Sequence, residues 1–335
     1  MFREYGYEVE VEEFISTSFW NLIYTKHNFL KKFFWTLYGY LNRILLLFRL
    51  REYDIVYIHL WVSPFGFPIF ERLYRLFSKK IIYDIDDLIF QQKASENNSF
   101  VQKLKGHSKS LYLIKVADFV ITTTPYLVDF CKKLNNNVVG IPPSLDTNKI
   151  TPLVKQINKQ IVIGWSGSVT TALYLKIVIG ALEKLSLEYD FEFVVFGSSD
   201  LTSFSFPHRH ITWHADIENE VLNSFDIALY PLENEVWSQG KYGGKLIQYL
   251  AAGLPILVSN ANEIIPTVIR DLENGILVNN TNDDWFQKLK LLIEDSELRH
   301  KLSINARKTF ISQFSLDANK NKYTFVLEKV LAIKK

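Results

Sequence analysis

The sequence predicts an α/β chain built of two doubly wound parallel-sheet domains. Short β-branched strands alternate with helical segments along most of its length, the pattern of parallel sheets. The alternation pauses over a proline-bearing stretch, Leu145–Ile157, and restarts at Ile161. A length of 335 residues leaves room for a sizeable core in each half. The expected domains are 1–153 and 154–318, followed by a helical segment, 319–335.

Composition narrows the class. The chain is 48% hydrophobic and 22% charged, with no low-complexity tract. A net charge of +2 gives no global drive toward nucleic acid. The lone cysteine, Cys131, excludes an intramolecular disulfide and thiolate metal clusters, and fits a reducing, cytoplasmic setting. Met1–Tyr7 is not a basic segment ahead of an apolar core, so no signal peptide is expected.

Gly6–Val11 reads as a helix end followed by a strand. A nucleotide-binding domain places a first strand and a glycine-rich turn before such a unit, and the first domain is expected to lack that strand. From Phe14 to Arg51 no residue is acidic, while Lys26, Lys31, Lys32, Arg43, Arg49 and Arg51 interleave with aromatics. Phe29, Leu30, Phe33, Leu37, Leu41, Ile44 and Phe48 recur at helical spacing. A basic, aromatic, amphipathic helix over 19–51 is the signature of a segment lying on an anionic membrane surface. Its apolar run is too short to span, and Asn42-Arg43 interrupts it. The alternative is an ordinary domain helix whose apolar face is core.

Asp54–His59 and Lys80–Asp87 read as strands, with a helix near Ile69–Phe77 between them. Gln91–Ser99 reads as a loop and Ser108–Val116 as a helix. Strand Asp118–Thr124, a helix from Pro125 to Lys133, and strand Val138–Pro143 complete the first half. The second half opens with strand Ile161–Trp165, the turn Ser166–Ser168 and a helix from Thr170 to Leu187. Strands at Phe191–Phe196 and His210–His214 and a helix at Glu218–Phe225 follow. Strand Asp226–Pro231 then runs into Gly240–Pro255, whose loop Gly240-Lys241-Tyr242-Gly243-Gly244-Lys245 opens a helix that stops at Gly253. Glycines ahead of a helix let main-chain N–H groups approach an anion. Lysines there oppose the helix dipole, and a bound phosphate supplies the reason for them. The plain alternative is a solvated loop. Strand Gly275–Val278 and a helical tail from Asn282, broken near Phe314-Ser315, end the chain.

In this block the chain resembles GT4-type glycosyltransferases, nucleotide-sugar enzymes of the GT-B fold, in which two Rossmann-like domains face a cleft. Gly240-Lys241-Tyr242-Gly243 stands where the family has Glu-Gly-Phe-Gly. Gln248-Tyr249-Leu250-Ala251-Ala252-Gly253-Leu254-Pro255 stands where it has Glu-Ala-Met-Ala-x-Gly-x-Pro. Both family glutamates are replaced, by Gly240 and Gln248, as in a branch that reads Gly-Lys-x-Gly-x-Lys. Tyr83–Asp87, Ile163–Ser168, Glu273–Val278 and Asp284-Trp285 follow the family's order.

The resemblance implies a retaining glycosyltransferase. A sugar would move from a UDP- or GDP-sugar to a saccharide or lipid-linked acceptor, in bacterial surface polysaccharide or glycolipid synthesis at the inner face of the cytoplasmic membrane. It also implies that 319–335 packs back toward the first domain. Charge building on the leaving diphosphate needs preorganised donors. Lys241, Lys245 and the N–H groups around Tyr242, Gly243 and Gly244 are expected to supply them, with Gly164, Ser166, Gly167 and Ser168 as a second turn. Relatives carry an arginine and a lysine there, whereas Ser166–Leu175 has no basic residue. Gln248 is expected at the ribose. Asp86 and Asp87, at a strand end, are candidates for holding a sugar hydroxyl or orienting the acceptor, with helix capping as the alternative. His59 also ends a strand. Asp84-Ile85-Asp86 is a DxD, the metal-nucleotide signature of another fold, but the two-domain layout leads us to expect no obligatory metal or cofactor. A non-catalytic nucleotide-sugar-binding protein and an epimerase of the same fold are the competing readings.

Overall fold

The computed structural model describes residues 2–16, 19, 27–89, 107–153, 160–197, 204–240 and 242–333. The expected loop at Gln91–Ser99 therefore lies outside the described residues. The chain forms two compact units, one of Met1–Ile141 with Lys320–Lys335, the other of Pro142–Asn319.

In the first unit a 3-10 turn, Phe2–Tyr5, precedes α1 (Phe29–Arg49), β1 (Val56–His59), α2 (Ile69–Phe77), β2 (Ile81–Ile85), α3 (His107–Val116), β3 (Phe119–Thr122), α4 (Pro125–Lys132) and β4 (Val138–Gly140). The strands form one parallel sheet in the order β1-β2-β3-β4. Thr124 caps α4 by accepting from the Leu127 N–H, with Pro125 in the first turn, where its missing N–H costs nothing. Ile82, Phe119, Ile121 and Ile141 pack with Val326, Leu327 and Val330 of the returning C-terminal helix.

No strand forms at Gly6–Val11, contrary to the sequence expectation. Residues 7–13 are irregular and largely exposed. Arginines, not a strand partner, satisfy this segment: Arg3 donates to the Val9 carbonyl, Arg43 to the Glu12 carbonyl and Arg49 to the Glu10 carboxylate. Alternating Glu and Val gave the right period, but the segment does not join the four-stranded sheet of this unit.

The helical spacing at Phe29–Phe48 does produce a helix, with its apolar stripe turned outward and not into a core. The buried residues of α1 are Gly39, Arg43 and Leu47, whereas its aromatic and leucine stripe faces out. Gly39 admits the close approach of Phe14, since a Cβ there would lie 2.8 Å from the Phe14 carbonyl oxygen. Among the described residues no helix is long and apolar enough to cross a membrane.

The second unit comprises β5 (Ile161–Ser166), α5 (Val169–Ala172), a 3-10 turn, α6 (Lys176–Ser186), β6 (Phe191–Gly197), β7 (His208–Thr212), α7 (Glu218–Ser224), β8 (Ile227–Tyr230), α8 (Gly244–Ala252), β9 (Ile256–Ser259), α9 (Ile265–Val268), β10 (Ile276–Val278), α10 (Asn282–Glu294) and α11 (Ser296–Thr309). A π turn, Phe310–Phe314, leads into α12 (Leu316–Ala332), whose C-terminal part belongs to the first unit. The six parallel strands run β10-β9-β8-β5-β6-β7. Two apolar layers sandwich them. Val162, Val194, Phe196, Ala228 and Ile256 face α8 and the Phe310–Phe314 turn. Ile163, Trp165, Phe193, Val195 and Leu229 face α6 and α10. The strand order reverses between β5 and β8, and in an open parallel sheet ligands bind beyond the strand ends at that reversal.

Candidate functional site

Both glycine-bearing turns of the second unit leave the sheet at this reversal. β5 ends at Ser166, and β8, paired with it through Ile163–Ile227 and Gly164–Ala228, leads to the Gly240–Gly244 loop. Tyr249 of α8 ties the two together: the Ser166 N–H donates to its hydroxyl at 2.7 Å.

The first turn is a tightly closed structure. Gly167 N–H donates to the Phe196 carbonyl and Ser168 N–H to Thr171 Oγ1. All three main-chain donors of Ser166–Ser168 are thus used within the unit, and the turn offers a ligand hydroxyls rather than N–H groups. Gly164 lies under the Phe225 ring and Gly167 against Trp165, where in each case a Cβ would come within about 2.3 Å. Both glycines serve packing. Ser166 Oγ is buried without a hydrogen-bond partner, a position that a ligand or water normally fills.

The second turn is open. Gly240 closes a 3-10 turn, Val236–Gly240, and is buried. Lys241 lies outside the described residues. Tyr242 packs edge-to-face on Phe314 at 5.7 Å, so its ring anchors the loop to the core. Gly243 adopts φ +83°, and a Cβ there would lie 1.7 Å from the Tyr230 hydroxyl. Nothing lies within 4 Å of the corresponding point at Gly244. The first-turn N–H groups of α8 have no intrahelical acceptor, as at any helix start. Lys245 and Gln248, three residues apart, share one face of α8, while Leu246, Ile247, Tyr249 and Leu250 are buried. Gln248 Oε1 is buried and unpartnered. Lys245 Nζ reaches Glu218 Oε1 at 3.3 Å, and the same oxygen accepts from the Trp213 indole at 2.9 Å.

Lys176 escaped the sequence reading, which stopped one residue short of it at Leu175. From the start of α6 it forms an ion pair with Glu233 in the loop after β8. It therefore brings a lysine to the rim of the same reversal.

In the first unit, β1 and β2 end side by side, with His59 opposite Asp84. Asp84 Oδ2 accepts from the Tyr57 hydroxyl at 2.5 Å and lies 3.7 Å from His59 Nδ1. The facing Asp84 carboxylate raises the His59 pKa, against the opposing effect of burial. Burial first, and Asp84 second, push Tyr57 far up, and Tyr323 is pushed to about 12 for the same reasons. Asp86 is raised by loss of solvation, with His59 opposing and Asp84 and Asp87 adding to the rise. Asp87 accepts from the Leu88 N–H, a local cap-like contact. The sequence singled out Asp86 and Asp87; the structure makes Asp84 the group around which Tyr57 and His59 gather.

The pair carries a pH signature. His59 has a folded pKa above its ordinary 6.5. Its contribution to stability is therefore fully present below that value and is lost as pH rises through the raised folded pKa. Wild type should melt above His59→Gln at about pH 5.5 and lose that advantage by about pH 8.5. A difference in melting temperature that does not change with pH would show that the ion pair contributes nothing.

The family model described as Glycosyl transferases group 1 matches residues 149–309, a span that takes in both turns of the second unit. Among solved structures, the chain is similar to sucrose-phosphate synthase from Thermosynechococcus elongatus at 14% identity and a TM-score of 0.66, covering 90% of this chain and 80% of that one. It is similar to a glycosyltransferase from Rickettsia africae ESF-5 at 16% identity and 0.64, covering 88% and 81%. It is also similar to HepE of Anabaena, solved with UDP and glucose, at 12% identity and 0.67, covering 85% and 80%. Likeness at these identities speaks for the fold. No curated protein matches the chain.

Proposed function

We propose that the chain, a glycosyltransferase of the GT-B fold whose residues 149–309 match the group 1 family model, transfers a sugar with retention from a UDP- or GDP-sugar to a saccharide or lipid-linked acceptor. The observation that carries this reading is the convergence at the strand reversal. The open start of α8, Lys245, Gln248 and the unpartnered Ser166 hydroxyl all lie on the two turns that flank it.

The division of labour follows from the chemistry. As the anomeric C–O bond breaks, negative charge gathers on the leaving diphosphate. The first-turn N–H groups of α8 and the Lys245 ammonium meet that charge. Glu218 holds Lys245 until the diphosphate competes for it. Gln248 can both donate to and accept from ribose hydroxyls. On the acceptor side, Asp86 and His59 present a carboxylate and an imidazole at the ends of neighbouring strands for sugar hydroxyls. No obligatory metal is proposed, because lysine and helix charge take that role. We place the reaction in surface polysaccharide or glycolipid synthesis at the inner face of the cytoplasmic membrane, with residues 19–51 as the membrane-facing stretch. Of these, 20–26 lie outside the described residues.

Calorimetry with UDP, GDP and their sugars, with and without EDTA, tests the donor site. One nucleotide series should bind regardless of EDTA. Lys245→Ala should weaken it about 10- to 100-fold, the value of a charge-assisted hydrogen bond. Glu218→Gln keeps the acceptor for Trp213 but releases Lys245, and should tighten binding. Binding abolished by EDTA would replace this account with a metal-dependent one, and no binding at all would remove the site.

A further inference from the structure

Helix α1 is folded inside out. At about 100° per residue, Phe29, Phe33, Phe34, Leu41, Leu45 and Phe48 fall within one half of its circumference, and each is at least half exposed. The half holds apolar side chains and Tyr40, and Leu47 at its edge is buried. The face turned to the unit carries Thr36, Gly39 and Arg43 instead. Arg43 donates from Nε to the Val62 carbonyl at 3.0 Å and from a terminal nitrogen to the Glu12 carbonyl. Among the described residues, these polar bonds fix the helix with its apolar half outward.

A second element adjoins it. The Tyr40 hydroxyl donates to the Phe65 carbonyl at 3.1 Å and accepts from the Phe65 N–H. The loop after β1 is thereby pinned along one margin of the apolar arc. Buried Lys109 holds the same loop from beneath, through the carbonyls of Ser63 and Phe65. The loop's Phe65 and Phe67 are both exposed, and rigid backbone anchors hold them so. Along the other margin of the arc stand Lys31 and Arg49.

We propose that the outer half of α1, together with Phe65 and Phe67, forms one surface that lies in the interfacial layer of a bilayer carrying anionic head groups. An exposed apolar area of this extent is rare on a protein that meets only water. Charge selects the occupant. Helix α1 carries no acid; Arg43 is buried and Arg49 is paired with Glu10, so Lys31 and Lys32 supply the charge beside the apolar half. A second copy would set like charge against like charge, whereas anionic lipid complements them. A helix about 30 Å long, apolar on one half and basic at its margin, lies in the interface plane and does not cross it. The inference refines the membrane-surface reading above and rests on it.

Flotation with vesicles of phosphatidylcholine, with and without 30% (roughly) phosphatidylglycerol, tests the surface. Wild type should float with the anionic vesicles and less with neutral ones. Phe34→Ser/Leu41→Ser/Leu45→Ser, and separately Phe65→Ser/Phe67→Ser, should reduce binding about tenfold or more. All five side chains are exposed, so melting temperature and nucleotide affinity should hold and would report any misfolding. If wild type binds and both variants bind equally, this surface is wrong while the membrane-surface reading stands. If wild type binds no vesicle, both fail. A concentration-dependent dimer that the helix variant abolishes, without vesicle binding, would replace lipid by a second copy.

Discussion

Lys109→Met destabilises the first unit by about 3–5 kcal/mol, the range for removing one partner of a buried ion pair. Lys109 and Glu71 are both fully buried, with Nζ 3.7 Å from Glu71 Oε1. The ammonium also donates to the Ser63 carbonyl, the Ser63 hydroxyl and the Phe65 carbonyl, at 2.7–2.8 Å. Neither carboxylate oxygen of Glu71 has a hydrogen-bond partner, so the nearby positive charge is its main compensation. Burial already lowers the Lys109 pKa and raises that of Glu71, each partner resisting the other's shift. Without Lys109, the Glu71 carboxyl must take up a proton to stay buried. A carboxyl with a raised folded pKa costs more stability as pH rises through it. Urea denaturation should therefore show a larger deficit at about pH 8 than at about pH 5. Lys109→Met/Glu71→Leu should recover much of the loss, because an apolar pair of similar volume is often neutral or better. A double variant as unstable as the single one would locate the cost in the loop carbonyls and not in the charge.

The sequence made some of these features readable and hid others, for identifiable reasons. Alternation of β-branched strands and helices needs only local pattern, so most element positions followed from it. The glycines of the Gly240–Gly244 loop were legible because backbone requirements show directly in residue type. Strand pairing is not local. Asp84 becomes the partner of Tyr57 and His59 only through the register of β1 on β2, so the sequence drew attention to the two acids after it instead. Helical spacing showed that α1 has an apolar stripe but could not say which way it turns. That direction depends on Arg43 meeting the carbonyls of Val62 and Glu12. Lys109 looked like one more helical lysine, since its partners lie far along the chain. The Gly6–Val11 segment failed in the opposite sense, with a strand's period but with Arg3 and Arg49 as partners in place of a strand.

Gly243→Ala abolishes donor binding and costs the second unit about 2–5 kcal/mol. Two separate terms add. A residue with a Cβ loses about 1–2 kcal/mol at positive φ, and the φ of +83° here comes with ψ 108°, away from the left-handed well that alanine tolerates best. The new Cβ would also lie 1.7 Å from the Tyr230 hydroxyl and 2.6 Å from its ring carbon. Either Tyr230 or the loop must move, a further 1–3 kcal/mol or so for an overpacked site. Tyr230 packs against the core layer that includes Tyr249, so it has little room. The loop is the softer partner, and its displacement carries the start of α8, with Lys245 and Gln248, away from the strand reversal. Gly244→Ala separates the two effects one residue further on. The site beside it is open and its backbone is helical, so alanine there should leave stability unchanged or raise it by up to about 1 kcal/mol. Thermal melting and UDP or GDP calorimetry on both variants distinguish the cases. If Gly244→Ala keeps its melting temperature but binds nucleotide more weakly, the open side of that glycine is where the diphosphate approaches. If Gly243→Ala binds as wild type does, the geometry of this turn does not set the donor site.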